Sequence, residues 1–461
     1  MIVAPGTAGL APAAWQTAAV AAWMAVWWIA EPLPLPATAL LPLVLFPLFG
    51  IGTIREAAAP FASPVVYLFL GGFLIAAAMQ KANLHRRIAL GIIRAVSART
   101  GALIPGFMVA TAFVSMWVSN TATTIMMLPI AMAVASVVLT EADGDSADAR
   151  NFSGALVLGI AYASSIGGVA TLIGTPANAI LAAHLADSYG IRIGFGRWLM
   201  FGLPVSGLML PLAWWVLCRR TYPARLSTSP AARDHIAAEW RMLGPVSAVE
   251  RRVAVVFALA AFLWILRPQL ATLPGLGGLS DGGIAIFCGL LPFLPGTGKG
   301  AGKPILRWDD AEKLPWGILV LIGGGLSLAA AISRNGLATA IGQGLASQGH
   351  LAPFVAILAV VTIVIFLTEL TSNTATASAF VPIMAGLAVV LGESPLALAA
   401  PAAVAASCAF MLPVATAPNA IIYSSGFVTV GQMVRAGIWL NLTGIGLISV
   451  LSWLLLPVIV G

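Results

Sequence analysis

The sequence predicts an all-α polytopic membrane protein, built as an inverted-topology repeat with two re-entrant helical hairpins. Composition is the first of three observations behind this. Of 461 residues, 60% are hydrophobic and only 8% charged, whereas a water-soluble chain carries about a quarter charged residues. That is too little polar side chain to coat a globule, so lipid is the solvent for most of the surface. Apolar runs of spanning length are the second observation, and a polar motif that occurs twice inside such runs is the third.

The spans are expected at roughly 15–30, 35–51, 64–80, 153–186, 197–217, 253–270, 282–295, 316–333, 397–425 and 434–459. Regions 101–140 and 351–392 are apolar too, but a polar cluster interrupts each near its middle. Irregular backbone at membrane depth is tolerated only where protein or a cavity covers it, so both read as hairpins that enter and leave from one side. The run Trp15–Ala30 leads into Glu31-Pro32 rather than a small-residue cleavage site, and reads as a retained helix. Residues 218–252 form the longest polar segment and the natural linker between halves. The chain therefore divides into N-terminal helices over 1–100, a first hairpin region over 101–217, the linker 218–252, a second set of helices over 253–350 and a second hairpin region over 351–461.

Basic residues set the orientation. One stretch holds Lys81, Arg86, Arg87, Arg94 and Arg99; another holds Arg219, Arg220, Arg225, Arg233, Arg241, Arg251 and Arg252. Placing both in the cytoplasm satisfies the positive-inside rule and puts the C-terminus outside. The net charge of +7 therefore reports topology and not a nucleic-acid partner. Cys218, Cys288 and Cys408 have no C-x-x-C spacing, which argues against disulfides and zinc.

Self-similarity is the strongest organising feature. Ser119-Asn120-Thr121-Ala122-Thr123 recurs as Ser372-Asn373-Thr374-Ala375-Thr376, and the same offset carries Pro129 onto Pro382 and Gly71 onto Gly324. Thr175-Pro176-Ala177-Asn178 recurs as Thr416-Ala417-Pro418-Asn419. The order is the same in both halves, while the topology runs the Gly71 helix inward and the Gly324 helix outward. Inverted repeats of this kind meet near the midplane, where a substrate binds. A lone Ser-Asn-Thr more often joins helices by hydrogen bonds than binds a ligand. Two copies of both motifs in one order point to a site.

The chemistry of that site follows from its groups. Ser-Asn-Thr offers hydroxyls and an amide without formal charge. At a hairpin tip, free carbonyls end one helix and free N–H groups with a positive dipole end begin the next. The oxygens suit a hard monovalent cation and the N–H groups suit an oxyanion, so a tip can hold both, each reducing the other's desolvation cost. Proline removes an N–H and clashes with the carbonyl one turn back, so spans 153–186 and 397–425 should break at Pro176 and Pro418. Gly167, Gly168 and Gly174 loosen the first break.

Other residues are weaker candidates. Glu369 would be an intramembrane acid, equally able to serve a proton- or cation-linked role or a structural hydrogen bond. His85, His184, His235 and His350 lack ligand spacing and are expected at interfaces or in loops. Trp27, Trp28, Trp214, Trp215 and Trp453 fall near span ends, where belt anchors sit. Gly323-Gly324-Gly325 lacks the Lys-Ser/Thr of a phosphate loop and reads as close helix packing. An intramembrane enzyme would need a nucleophile with its base or a metal cluster, and neither spacing occurs. Two inverted, non-equivalent hairpins favour alternating access over a channel.

The segments SMWVSNTATTIMMLP, TLIGTPANAI, TELTSNTATASAFVP and FMLPVATAPNAI resemble those of the divalent anion/sodium symporters, a family that includes bacterial dicarboxylate transporters. The resemblance runs from about residue 20 to the C-terminus. It implies a homodimer in the bacterial inner membrane, with a scaffold domain and a transport domain that moves like an elevator. It also implies import of small dicarboxylates such as succinate, malate or fumarate, with sodium as coupling ion and no other cofactor. Carried over by position, Ser115, Ser119 and Asn120, with carbonyls near Gly168 and Gly174, would form one sodium site. Thr368, Ser372 and Asn373, with the carbonyl near Ala415, would form the other. Asn120, Thr121, Asn373, Thr374 and Thr416 would contact the substrate carboxylates. Ala177 and Ala417 stand where the family often has a second proline, and the N-terminal scaffold is expected to be one helix short. A sodium-independent dicarboxylate exchanger and a sulfate or oxyanion carrier are the alternatives within the same fold.

Overall fold

The computed structural model describes residues 11–100, 103–141, 146–223, 230–295, 303–346 and 352–460, and among these it contains helices and no strand. The first half opens with α1 (Pro12–Ala30), which ends at Glu31 in the left-handed conformation (φ 47°). The expected span 35–51 is instead two short helices, α2 (Leu35–Thr38) and α3 (Leu41–Leu48). Prolines explain the cut: Pro36 and Pro42 sit in first turns, where the missing N–H costs nothing, and favour two starts over one continuous helix. Then come α4 (Ile54–Ala58), α5 (Pro64–Lys81) and α6 (Leu84–Thr100). The first interrupted region folds as α7 (Leu103–Ser115) and α8 (Asn120–Glu141), meeting at Ser-Asn-Thr. After it run α9 (Ala147–Val169), α10 (Pro176–Tyr189), α11 (Phe195–Trp215) and α12 (Pro230–Met242).

The second half repeats the order with α13 (Ala248–Leu270), α14 (Asp281–Leu290), α15 (Trp308–Glu312), α16 (Trp316–Arg334) and α17 (Leu337–Ala346). The second hairpin is α18 (Pro353–Thr368) with α19 (Asn373–Val390). Finally come α20 (Pro395–Ala406), α21 (Ala417–Ser424) and α22 (Val430–Val460). Spans 153–186 and 397–425 are each broken before their proline, as α9/α10 and α20/α21. Among the described residues, eight helical stretches are long and apolar enough to cross a membrane, and five shorter apolar helices accompany them. The chain is a multi-pass membrane protein.

Glycines let the halves interlock. A β-carbon at Gly71 of α5 would stand 2.2 Å from the Ala285 carbonyl carbon of α14, and one at Gly324 of α16 would stand 2.0 Å from the Ala39 carbonyl oxygen. The glycine-rich helix of each half thus lies backbone to backbone on a segment of the other half, the close approach that small residues permit where lipid offers no hydrophobic drive.

On one face, α6 gathers the basic stretches. Arg87 donates through Nε to Glu250 Oε1 (2.6 Å) and through its other nitrogens to the Gly244 and Leu243 carbonyls (both 3.0 Å). Arg86 pairs with Glu239, and Arg94 lies over the Trp240 ring at 4.9 Å. Residues 86–94 and 239–250 of the two basic stretches therefore share one side of the molecule, as the positive-inside argument requires. Two expectations need correction. Trp28 is no belt anchor: it is fully buried, with Nε1 donating to the Leu35 carbonyl (3.3 Å), because the α1–α2 corner folds over it. His184 is neither interfacial nor in a loop; it is buried on α10, the length of apolar sequence around it outweighing one polar ring. His350 lies outside the described residues.

Gly324→Ala should lower stability by about 1–3 kcal/mol, the usual cost of overpacking. Gly446→Ala in α22, where nothing lies within 4 Å, should leave it unchanged. Thermal unfolding midpoints in detergent check both.

Candidate functional site

The first tip is built where α7 stops at Ser115 and α8 starts at Asn120. Ser119 caps the new helix: its carbonyl accepts from Thr123 N (2.9 Å) and its hydroxyl from Ala122 N (3.3 Å). Ser115 is fully buried. Its Oγ lies 2.7 Å from Asn120 Oδ1 and 2.7 Å from the Ser164 carbonyl oxygen of α9. One hydroxyl proton serves only one acceptor at a time, so oxygen lone pairs converge here without enough protons to satisfy them. Gly168 and Gly174 close the same nook, for a β-carbon at Gly168 would stand 2.6 Å from Asn120 Oδ1 and one at Gly174 2.4 Å from the Gly168 carbonyl oxygen.

The second tip repeats this arrangement. Thr368, fully buried at the end of α18, has Oγ1 3.0 Å from Asn373 Oδ1 and 2.9 Å from the Ala406 carbonyl oxygen of α20. Ser372 caps α19, its carbonyl accepting from Thr376 N (2.9 Å). Ala415 is buried immediately before Thr416, whose Oγ1 accepts from Asn419 N (3.1 Å). Among the described residues, no group of three or more His, Cys, Asp or Glu side chains is placed to hold a metal. These nooks offer neutral oxygen, the donor set of a hard cation.

The two breaks are fastened by asparagines. Asn178 Nδ2 donates to the carbonyls of Val169 (3.1 Å) and Thr171 (2.8 Å), and Asn419 Nδ2 donates to those of Ala409 (3.2 Å) and Leu412 (3.0 Å). Both asparagines are wholly buried. Each satisfies carbonyls left without a helical partner where the preceding helix stops, which explains why the T-P-A-N and T-A-P-N motifs end in Asn. Thr171 Oγ1 donates to the Met116 carbonyl in the first tip (2.6 Å). Thr175 Oγ1 lies 3.2 Å from Ser407 Oγ, joining one break to the other, while α8 packs on α21 and α10 on α19. The structure thus brings Ser115, Asn120, Gly168 and Gly174 together, and Thr368 with Asn373. Asn120, Thr121, Asn373 and Thr374 are half-buried at the tips, and Ser119 and Thr121 border a cavity of about 670 Å³. Thr374 offers its carbonyl to Ser378 Oγ (2.8 Å).

Glu369 resolves into a structural anchor. Its buried carboxylate accepts from the backbone N–H groups of Phe410 (2.7 Å), Met411 (3.0 and 3.1 Å) and Leu412 (3.1 Å), and from Asn441 Nδ2 (2.7 Å). Every partner is a donor, a set suited to a carboxylate. It holds the loop of the second break in place. Met116 takes the equivalent position in the first half, so there the loop is held by Thr171 instead.

Helices crossing a membrane around two broken-helix pairs, with uncharged oxygen nooks at their centre, define a membrane transport protein and not an enzyme. The chain belongs to the sodium:sulfate symporter family, whose transmembrane-region model matches residues 1–459. It is 41% identical over 447 residues to the sodium-dependent dicarboxylate transporter SdcS of Staphylococcus saprophyticus, covering 96% of this chain and 86% of that protein. The SdcS of Staphylococcus aureus strain USA300 matches to the same extent. In fold, the chain is similar to the crystal structure of the YdaH transporter of Alcanivorax borkumensis, with a TM-score of 0.55 at 16% identity over 95% of this chain and 98% of that one.

Glu369→Gln keeps the volume but turns an NH₂ toward backbone donors. It should cost about 1–3 kcal/mol, read as a lower unfolding midpoint in detergent.

Proposed function

We propose that the protein is a secondary active transporter that imports small dicarboxylates of the succinate, malate and fumarate class by sodium symport. The observation that carries this reading is the matched pair of buried nooks, Ser115–Asn120 with the Ser164 carbonyl and Thr368–Asn373 with the Ala406 carbonyl. Each takes one sodium ion, with Ser119, Gly168 and Gly174 beside the first and Ser372 and Ala415 beside the second. The dianion then binds between the tips at Asn120, Thr121, Asn373, Thr374 and Thr416. Neither tip carries Lys or Arg, so bound sodium supplies the positive charge and the substrate binds after it. The family membership and the names of the relatives support the same ion and substrate class.

The site moves as an elevator in this reading. Its ties (Ser115–Ser164, Thr171–Met116, Thr175–Ser407, Thr368–Ala406 and Glu369–Asn441) run within α7–α11, α18–α22 and the breaks between them. Residues 101–217 and 351–461 form the mobile unit. Residues 1–100 and 253–350 form the scaffold of a homodimer in the bacterial inner membrane, with 218–252 as cytoplasmic linker.

In proteoliposomes, an inward sodium gradient should drive succinate uptake, and Asn120→Ala and Asn373→Ala should each abolish it. Retained uptake in both variants rejects the site; uptake of sulfate alone, or succinate exchange indifferent to sodium, rejects the assigned cargo or coupling. Sodium should also stabilise the folded protein by mass action, by about 2.7 kcal/mol per site at a hundredfold excess over its Kd, read as a higher unfolding midpoint, and Ser115→Ala with Thr368→Val together should remove that rise.

A further inference from the structure

The cavity of about 670 Å³ that reaches Ser119 and Thr121 is walled largely by apolar side chains of α5, of α8 and of the segment that leads into α16. Among its described lining residues the only charged ones are Lys81, Asp310 and Lys313, with Gln80 beside them. Lys81 Nζ pairs with Asp310 Oδ2 at 2.5 Å, their side chains 42% and 22% exposed. Asp310 Oδ2 also accepts from the Arg307 backbone N–H (2.8 Å). Lys313 is exposed and acts on the same carboxylate, which both ammonium groups hold below its usual range, with the hydrogen bond from Lys81 foremost. One carboxylate facing two ammonium groups leaves a positive charge over. No described residue of the second tip borders this cavity.

The placement has a direction. Lys81 opens the basic stretch whose arginines clasp α12 and the start of α13, so the charged end of the cavity lies on the cytoplasmic face by the positive-inside rule. The tip at its inner end has no cation of its own. A cleft with low-dielectric walls and a net positive charge concentrates anions.

We propose that Lys81 and Lys313 form an anion-capture subsite at the cytoplasmic mouth of this vestibule, where a dicarboxylate dwells on its way between the cytoplasm and the first tip. Asp310 keeps Lys81 extended along the wall, and an arriving carboxylate displaces it as the lysine's partner. The subsite rests on the transport reading above and adds a sidedness that this reading lacks, because the opposite face has no share in it.

The test uses the full-length protein in everted membrane vesicles, whose cytoplasmic face is outside, and in right-side-out vesicles. Succinate is the substrate and choline chloride varies the ionic strength. Lys313→Gln should raise the succinate KM at the cytoplasmic face about tenfold and flatten its salt dependence. The KM at the other face should stay as in the wild type, with the ratio of the maximal rates in the two directions shifting in step so that detailed balance holds, and Lys313→Arg should behave as wild type. An unchanged cytoplasmic KM, or an equal rise at both faces, overturns the subsite while leaving sodium-driven transport standing. Wild-type vesicles that show no sodium-dependent succinate transport at either face would sink the transport reading and the subsite with it.

Discussion

Two buried hydroxyls, each holding one proton between two acceptors, set the terms for the rest of the molecule. Ser115 and Thr368 sit where lipid lies all around the bundle, and an oxygen cluster short of protons costs free energy there unless a cation completes it. An unbroken helix offers little toward such a cluster, because each carbonyl already accepts from the amide four residues on and keeps only its second lone pair. The cluster needs helix ends at membrane depth, and these need protein cover. The broken helices, the hairpins and the asparagines that fasten the breaks all follow from that need.

The duplicated halves meet it jointly. Each glycine-rich helix lies on the other half's backbone, at Ala285 for Gly71 and at Ala39 for Gly324, so neither half folds as a freestanding layer. The breaks are joined through Thr175 and Ser407, with α8 packed on α21 and α10 on α19. The halves are not equivalent, however. Glu369 fixes the second loop through backbone donors and Asn441, while the first loop depends on Thr171. A buried carboxyl group beside one break, with no counterpart among the described residues beside the other, makes the two nooks chemically distinct.

Much of this is legible in the sequence because membrane solvation writes it in coarse letters. Long apolar runs announce helices. Ser-Asn-Thr inside such a run is conspicuous, and its second copy locates the second tip. Pro176 and Pro418 mark where α10 and α21 begin anew. The remainder depends on contacts between distant segments. Asn178 and Asn419 stand in the motifs in plain view, but their amides meet carbonyls up to ten residues back only once the chain has reversed. Glu369 is as apt for proton traffic as for structure until the N–H groups of 410–412 and Asn441 are placed around it. Trp28 and His184 escape a reading by hydropathy, which gives depth along a span and not whether the side chain turns toward lipid or bundle. The Lys81–Asp310 pair joins residues from opposite halves, and no local pattern signals it.

Thallium, a monovalent cation that takes oxygen ligands and has a strong anomalous signal, tests the central claim most directly. A crystal of the protein grown with thallium in place of sodium should show one anomalous peak against Ser115, Asn120 and the Ser164 carbonyl, and a second against Thr368, Asn373 and the Ala406 carbonyl. Adding sodium should erase both. Peaks confined to other places, or none that sodium displaces, would contradict the account.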